Sequence, residues 1–191
     1  MSAFHLAPPP ADIGVRPDQW VFFWKGPFSQ WHMSTFKVWG KRFECAEQAM
    51  MYGKAHLFGD GKIAGEILKT DDPGRQKALG RKVRGFDEET WSAERVRIVA
   101  EVSLAKYEQN RGLRRKLLQT GERPLAEASP IDFIWGIGLD ATNASQTPTD
   151  QWPGANLLGR VLMGVRDVMR DAHTNEIPAV EPTGIMKEGS S

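Results

Sequence analysis

Glu47 and Lys54 stand seven residues apart in the segment Glu44-Cys45-Ala46-Glu47-Gln48-Ala49-Met50-Met51-Tyr52-Gly53-Lys54-Ala55. On an α-helix that separation turns through about 700° and rises about 10 Å, so the pair shares one face two turns apart. The face adjoins an apolar stripe of Ala46, Met50, Gly53 and Leu57. A carboxyl and an amine at the edge of a core have displaced proton affinities, as acid/base chemistry requires. An ordinary exposed face bearing two charges fits the same spacing. A second patch runs from Glu127 to Gly138 and sets Asp132 and Trp135 beside Gly136 and Gly138, glycines that let backbone approach a ligand closely. A carboxylate next to an indole suits a ribosyl group, whose oxocarbenium-like centre needs a nearby negative charge and a stacking wall. A turn aspartate followed by a core tryptophan is the alternative.

Phosphate has candidates of its own. Arg75, Lys77, Arg81, Lys82 and Arg84 put five basic residues and no acidic one into positions 74–84. Such a strip beside Gly80 can hold phosphate through charge-assisted hydrogen bonds, or it is a solvated helix face. Arg111, Arg114, Arg115 and Lys116 form a similar cluster with the same two readings. Asn156, in Trp152-Pro153-Gly154-Ala155-Asn156, opens the last helix as a cap, and the helix end there is a possible anion site. Five of the seven tryptophans (Trp20, Trp24, Trp31, Trp39 and Trp135) fall in strand or loop segments, where an indole either stacks on a base or sugar or fills the core.

The elements that position these residues follow from periodicity. Trp20 to Trp24 reads as a buried strand, and Thr35–Trp39 with Lys41–Phe43 as a strand pair around Gly40. Helices are expected over 45–58, 60–69, 73–83, 87–110 and 111–119; Pro73 opens the third, and Asp87 caps the fourth. Leu125–Ser129 reads as a strand, followed by a glycine-punctuated loop, and a final helix is expected from Gly154 to Asp171. The fold class is therefore α+β, a single helix-rich domain with a few short strands. It occupies residues 19–172, between a disordered N-terminal extension (1–18, with Pro8-Pro9-Pro10) and a disordered tail (173–191).

Composition removes several classes. The net charge is +1 from 25 basic and 24 acidic residues, so no global field draws nucleic acid or anionic membrane, and any basic surface is local. No apolar run approaches the ~18–20 residues that cross a bilayer. The first residues lack the features of a secretory signal, and a cytoplasmic location is expected. Cys45 is the only cysteine, which excludes an internal disulfide and a cysteine-based zinc cluster. The four histidines show no ligand spacing, so neither metal nor cofactor is expected. Gly136-Ile137-Gly138-Leu139-Asp140-Ala141 fits a dinucleotide fingerprint, but turn chemistry follows where a helix should start.

Taken in order, these segments resemble the NADAR family. The resemblance runs through Glu47-Gln48 with Lys54-Ala55, Phe58-Gly59-Asp60, Leu79-Gly80-Arg81, Phe86-Asp87 with Trp91, and Lys106-Tyr107. It continues through Leu117-Leu118-Gln119-Thr120-Gly121, Glu127-Ala128-Ser129-Pro130, Asp132, Trp135-Gly136-Ile137-Gly138 and Asn156-Leu157-Leu158-Gly159. It covers about residues 20–170. It implies an α+β domain that hydrolyses an N-glycosidic bond between ribose C1 and a nitrogen, in a phosphoribosylamino-pyrimidine of riboflavin synthesis or in an ADP-ribosylated guanine, free or in nucleic acid. By the same resemblance Glu47, Lys54 and Asp132 are the catalytic residues. Trp135, Arg81, Gln48, Gly136, Asn156 and Ser29 are those that bind substrate. Where the family often has Phe-Ser-Asn-Phe, this chain reads Phe28-Ser29-Gln30-Trp31. A module that binds ADP-ribose or a nucleotide without turnover is the alternative function.

Overall fold

The computed structural model describes residues 4–9 and 19–176. Strands β1 (Val21–Phe23), β2 (Phe36–Val38) and β3 (Lys41–Phe43) precede helices α1 (Ala46–Leu57), α2 (Gly61–Ile67), α3 (Pro73–Gly80), α4 (Glu88–Gln109) and α5 (Arg111–Leu118). Then come β4 (Leu125–Glu127), α6 (Ala141–Ala144) and α7 (Leu157–Glu176). The architecture is the expected α+β, dominated by helices. Aspartates start four of them: Asp60, Asp72, Asp87 and Asp140 each accept a backbone N–H from the third residue on, satisfying a donor that has no partner inside the helix.

The strands form two small sheets. β2 and β3 make an antiparallel hairpin with Phe36 opposite Phe43. Trp39 and Gly40 turn it with φ of 51° and 69°, the left-handed pair that a two-residue hairpin loop demands. β1 and β4, remote in sequence, pair in parallel, with Val21 opposite Leu125 and Phe23 opposite Glu127. That pairing carries the end of β4 into the middle of the molecule.

Helix α1 is the central element, packed by α2, α3 and α4. Its buried set is not the single stripe that periodicity suggests; Ala46 through Met51, Gly53 and Ala55 are all buried. A helix covered on several sides has no free face for its charges. Close approach depends on small residues: a Cβ at Gly53 would stand 2.9 Å from Ile98 Cγ2 and 3.0 Å from Trp39 Cη2.

Several boundaries differ from the expectation, each for a local reason. The last helix starts at Leu157, because Gly154, Ala155 and Asn156 donate their N–H groups back to Ile137, Phe133 and Gly136. It runs on to Glu176, inside the segment read as a tail. The strand at 125 ends at Glu127, where the Ser129 N–H turns back onto the Glu127 carbonyl. Within the glycine-punctuated loop, Asp140 caps one short helix, α6.

Residues 4–9, read as part of a disordered extension, lie against the core. Phe4, Leu6 and Ala7 pack on it, and Arg160 Nε donates to the Ala7 carbonyl at 2.9 Å. Proline-rich composition removes regular structure, but it does not stop two large apolar side chains from finding an apolar groove. The remaining terminal positions, 1–3, 10–18 and 177–191, lie outside the described residues.

Seating α7 on β4 requires Gly159, since a Cβ there would overlap the Leu125 carbonyl oxygen. In a free helix Gly→Ala stabilises by about 1 kcal/mol; here the sign reverses. Gly159→Ala is expected to cost about 2–3 kcal/mol and to lower Tm by roughly 5–10 °C. Gly65→Ala in α2, where nothing lies within 4 Å, is expected to raise it slightly. Thermal unfolding followed by circular dichroism reads both, and an unchanged Gly159→Ala melt would refute this seating.

Candidate active site

One cleft of about 430 Å³ gathers the first turns of α1, the loop at 29–31, the end of β4, the loop at 131–135 and the C-terminal half of α3. Glu47 and Lys54 line it together, as their shared helix face requires, and Asp132, Trp135, Arg81 and Ser29 join them. Six of the nine residues proposed from sequence therefore meet in one place. Glu47 is only 3% exposed, so the alternative of an ordinary solvated face does not describe it.

The carboxyl groups here carry unusual proton affinities. Burial pushes Glu47 up to about 7, with the Asp132 charge adding to the rise. Lys77, the Trp31 indole N–H donating toward it, and Arg81 oppose that rise without cancelling it. Glu127, on the end of β4, is pushed to about 8 by burial first, then by the charges of Asp132 and Glu47. One oxygen of each, Glu47 Oε1 and Glu127 Oε2, is buried without a hydrogen-bond partner, and so is Gln30 Oε1 in the same cleft. Lys54, half-buried with its Nζ 4.1 Å from the Phe86 ring centroid, has its affinity lowered by burial. Burial thus moves the carboxyls and the amine toward the neutral range from opposite sides.

Fixed loops hold these groups. Asp132 Oδ1 accepts the N–H groups of Ile134 at 3.0 Å and Trp135 at 2.8 Å, which sets the turn carrying Trp135 inward. Ser29 Oγ accepts from the Trp31 N–H at 3.2 Å. Beneath that loop the buried Lys106 donates its ammonium to the carbonyls of Ser29 at 2.9 Å and Pro27 at 3.2 Å.

Three proposed substrate ligands do not line the cleft. Gln48 is spent on the chain: its Oε1 accepts from the Glu44 N–H, and its Nε2 donates to the carbonyls of Ile67 and Thr70. Asn156, at φ 51°, clamps β4, accepting from the Glu127 N–H at 3.1 Å and donating to the Leu125 carbonyl at 2.9 Å. Gly136 is needed for close approach, but to protein: a Cβ there would stand 2.9 Å from the Asp132 carbonyl and 3.0 Å from that of Glu127. Both residues therefore position Glu127, the group that sequence reasoning missed. Lys77 was one of five basic candidates; the cleft selects it with Arg81. Arg84 is instead committed to the buried Asp60, through Nε at 3.1 Å and a terminal nitrogen at 3.0 Å.

A larger groove, about 830 Å³, runs along α5 and α7. It offers one carboxylate, Glu108, among Arg111, Arg114, Arg115 and aliphatic side chains, with no second acid to share proton transfer. The smaller cleft brings three carboxyls, Glu47, Glu127 and Asp132, together with Lys54, Lys77 and Arg81. Among the described residues, no group of three or more His, Cys, Asp and Glu side chains could hold a metal ion. None of their helices is long and apolar enough to cross a membrane.

The sequence profile of the NADAR domain matches residues 22–170. N-glycosidase R617 of Acanthamoeba polyphaga mimivirus is 44% identical over 166 residues, 80% of this chain and 98% of that protein. The chain belongs to the NADAR family. It is an N-glycosidase. N-glycosidase YbiA of Escherichia coli (strain K12) is 29% identical over 142 residues, 74% of this chain and 80% of that one. The NMR structure of the E. coli protein YbiA has the same fold, with a TM-score of 0.70 over 88% of this chain and 100% of that one at 24% identity. A riboflavin biosynthesis protein of Vibrio vulnificus is 29% identical over 127 residues, 66% of this chain and 32% of its own length.

The buried acids of this NADAR domain have a cost that depends on pH. Both hold their protons more tightly folded than unfolded, so from about pH 4.5 to pH 7–8 the folded state binds more protons. Their contribution is complete below that window and is lost as pH rises through it. Glu47→Gln is therefore expected to stabilise at pH 8 by on the order of 2–3 kcal/mol relative to its effect at pH 5. Melts of both proteins at the two pH values check this, and an equal difference at each would contradict it.

Proposed function

We propose that this N-glycosidase hydrolyses the bond between ribose C1 and a base nitrogen in a phosphorylated ribosyl compound. The substrate is a phosphoribosylamino-pyrimidine or an ADP-ribosylated guanine. The observation that carries the reading is the meeting of three buried, unpartnered oxygens, on Gln30, Glu47 and Glu127, with cations in one cleft. Buried acceptors without donors call for a ligand rich in hydroxyls. Lys77 and Arg81 on the α3 side suit its phosphate. The name of the Vibrio vulnificus relative supports the pyrimidine compound, and a lone buried thiol, Cys45, suits the reducing cytoplasm.

In the reaction, protonated Glu127 gives its proton to the leaving nitrogen as the C1–N bond breaks and its electron pair goes to nitrogen. Asp132 stabilises positive charge developing on the ribose ring, and Trp135 walls it. Glu47 takes a proton from the water that adds to C1, yielding the ribose with a free hydroxyl. One observation favours a covalent variant: Lys54 lines the same cleft, and burial lowers its proton affinity. As a free amine it attacks C1, displacing the base and opening the sugar to a Schiff base that water then hydrolyses.

The test offers both substrates to wild type, Glu47→Gln and Glu127→Gln, with mass-spectrometric detection of released sugar. Release by wild type should fall about 10²–10⁴-fold in each variant. No release of either substrate by wild type would overturn the reading. Borohydride trapping of a ribosyl adduct on Lys54 is the expected mark of the covalent route; absence of adduct with near-normal kcat in Lys54→Ala would remove it. If the base lies in nucleic acid, activity on a DNA-linked substrate should fall steeply with salt.

A further inference from the structure

A cleft built for a charged sugar has no need of exposed hydrocarbon, yet this one carries a rim of it. Ile131 is 79% exposed, Phe133 56%, Trp31 47% and Ile134 41%, and all four line the cleft. They are half of the eight large apolar side chains exposed among the described residues. Scattered exposed hydrophobes need no explanation, but a cluster of them beside a site marks a contact surface.

The rim is also held open. On one lip, the Phe133 carbonyl accepts from the Ala155 N–H at 2.9 Å and the Ile134 carbonyl from the Leu157 N–H at 3.1 Å, tying the loop to the start of α7. The Phe133 ring lies against Gly138, where a Cβ would come within 2.9 Å of it. On the other lip, Trp31 is fixed through Ser29, whose carbonyl the buried Lys106 holds. Neither lip is free to collapse onto the other and hide its apolar surface. Fixed, exposed apolar side chains are preorganised for a ligand.

The charges divide the ligand between the walls. Lys77 and Arg81 draw its phosphates, and the carboxyls on the floor face the sugar. What remains is the flat, uncharged base. We propose that Trp31, Ile131, Phe133 and Ile134 form the subsite for the leaving base and set which bases the enzyme accepts; this rests on the N-glycosidase reading of the cleft. Apolar burial grows with area, so a two-ring base gains more from the rim than a one-ring base.

The test separates binding from turnover. Guanosine, uridine and ribose 5-phosphate are titrated into the full chain and into Trp31→Ala and an Ile131→Ser/Phe133→Ser double variant, read by ligand-observed saturation-transfer NMR. All substituted side chains are about half exposed or more, and thermal melts verify folding. Loss of one stacking or apolar wall should weaken guanosine by about tenfold or more, uridine less, and ribose 5-phosphate by less than about twofold. Unchanged guanosine binding, or equal weakening of all three probes, would overturn the subsite. Rim-dependent guanosine binding by a wild type that cleaves neither substrate would keep the rim and refute the proposed reaction. Cleavage whose preference between one-ring and two-ring substrates ignores the rim would do the reverse.

Discussion

Glu47 is carried indoors by the helix it belongs to. Helix α1 is packed by three others, so a side chain in its first turn has nowhere to go but the interior or the cleft that opens onto it. There one carboxyl oxygen meets no donor, and the charged form of such a group costs several kcal/mol. Lys77 and Arg81 along the cleft, with the Trp31 indole N–H, recover part of that cost, while Asp132 adds to it. The balance leaves the acid titrating near neutrality, where a proton can be both held and released. The site's chemistry thus depends on the crowding around one helix.

Buried polar groups in this molecule sort into two kinds. Lys106, Gln48 and Asn156 are buried with their hydrogen bonds made, each to backbone that has no regular structure or lies at the end of a helix or strand. They act as cross-links: Lys106 fixes the loop bearing Trp31, and Asn156 fixes the strand end bearing Glu127. Gln30, Glu47 and Glu127 instead keep an oxygen unpaired at the cleft. A satisfied buried group stabilises, whereas an unsatisfied one is a deficit that a ligand can fill. Three buried nitrogens without a hydrogen-bond partner, Trp20 Nε1, Arg95 Nε and Arg166 Nε, lie away from the cleft, but the three such side-chain oxygens among the described residues all belong to it.

That distinction explains what could be read from the sequence. The Asp87 cap, the β2–β3 turn and the helical face shared by Glu47 and Lys54 obey rules acting over a few residues, and all of them appear in the fold. Gln48 and Asn156 stand inside motifs whose neighbours line the cleft, and a motif position does not say whether a side chain touches substrate or its own chain. Glu127 went unrecognised because its setting is non-local. Only the parallel pairing of β1 with β4, and the Asn156 clamp from far along the chain, bring a lone carboxylate to the field of Glu47. Phe4 and Leu6 were hidden for a related reason, since composition reports the lack of regular structure and says nothing about what a short apolar segment will lie against.

The coexistence of three carboxyls with three cations in one cleft is what permits a division of labour. Were Glu47, Glu127 and Asp132 all ionised and unopposed, their repulsion would force the cleft apart; were each tied to a cation, all would be fixed as carboxylates with no proton to give. Asp132 has one oxygen engaged by two backbone N–H groups, which fixes it within the cleft. Its charge then raises both neighbours, and Glu47 raises Glu127 further. The two glutamates titrate as a pair whose apparent values belong to both. Both affinities are raised toward neutrality, so around pH 7 the pair can hold a proton and still release one. The proposed reaction draws on both forms, a protonated carboxyl for the departing base and a carboxylate for the incoming water.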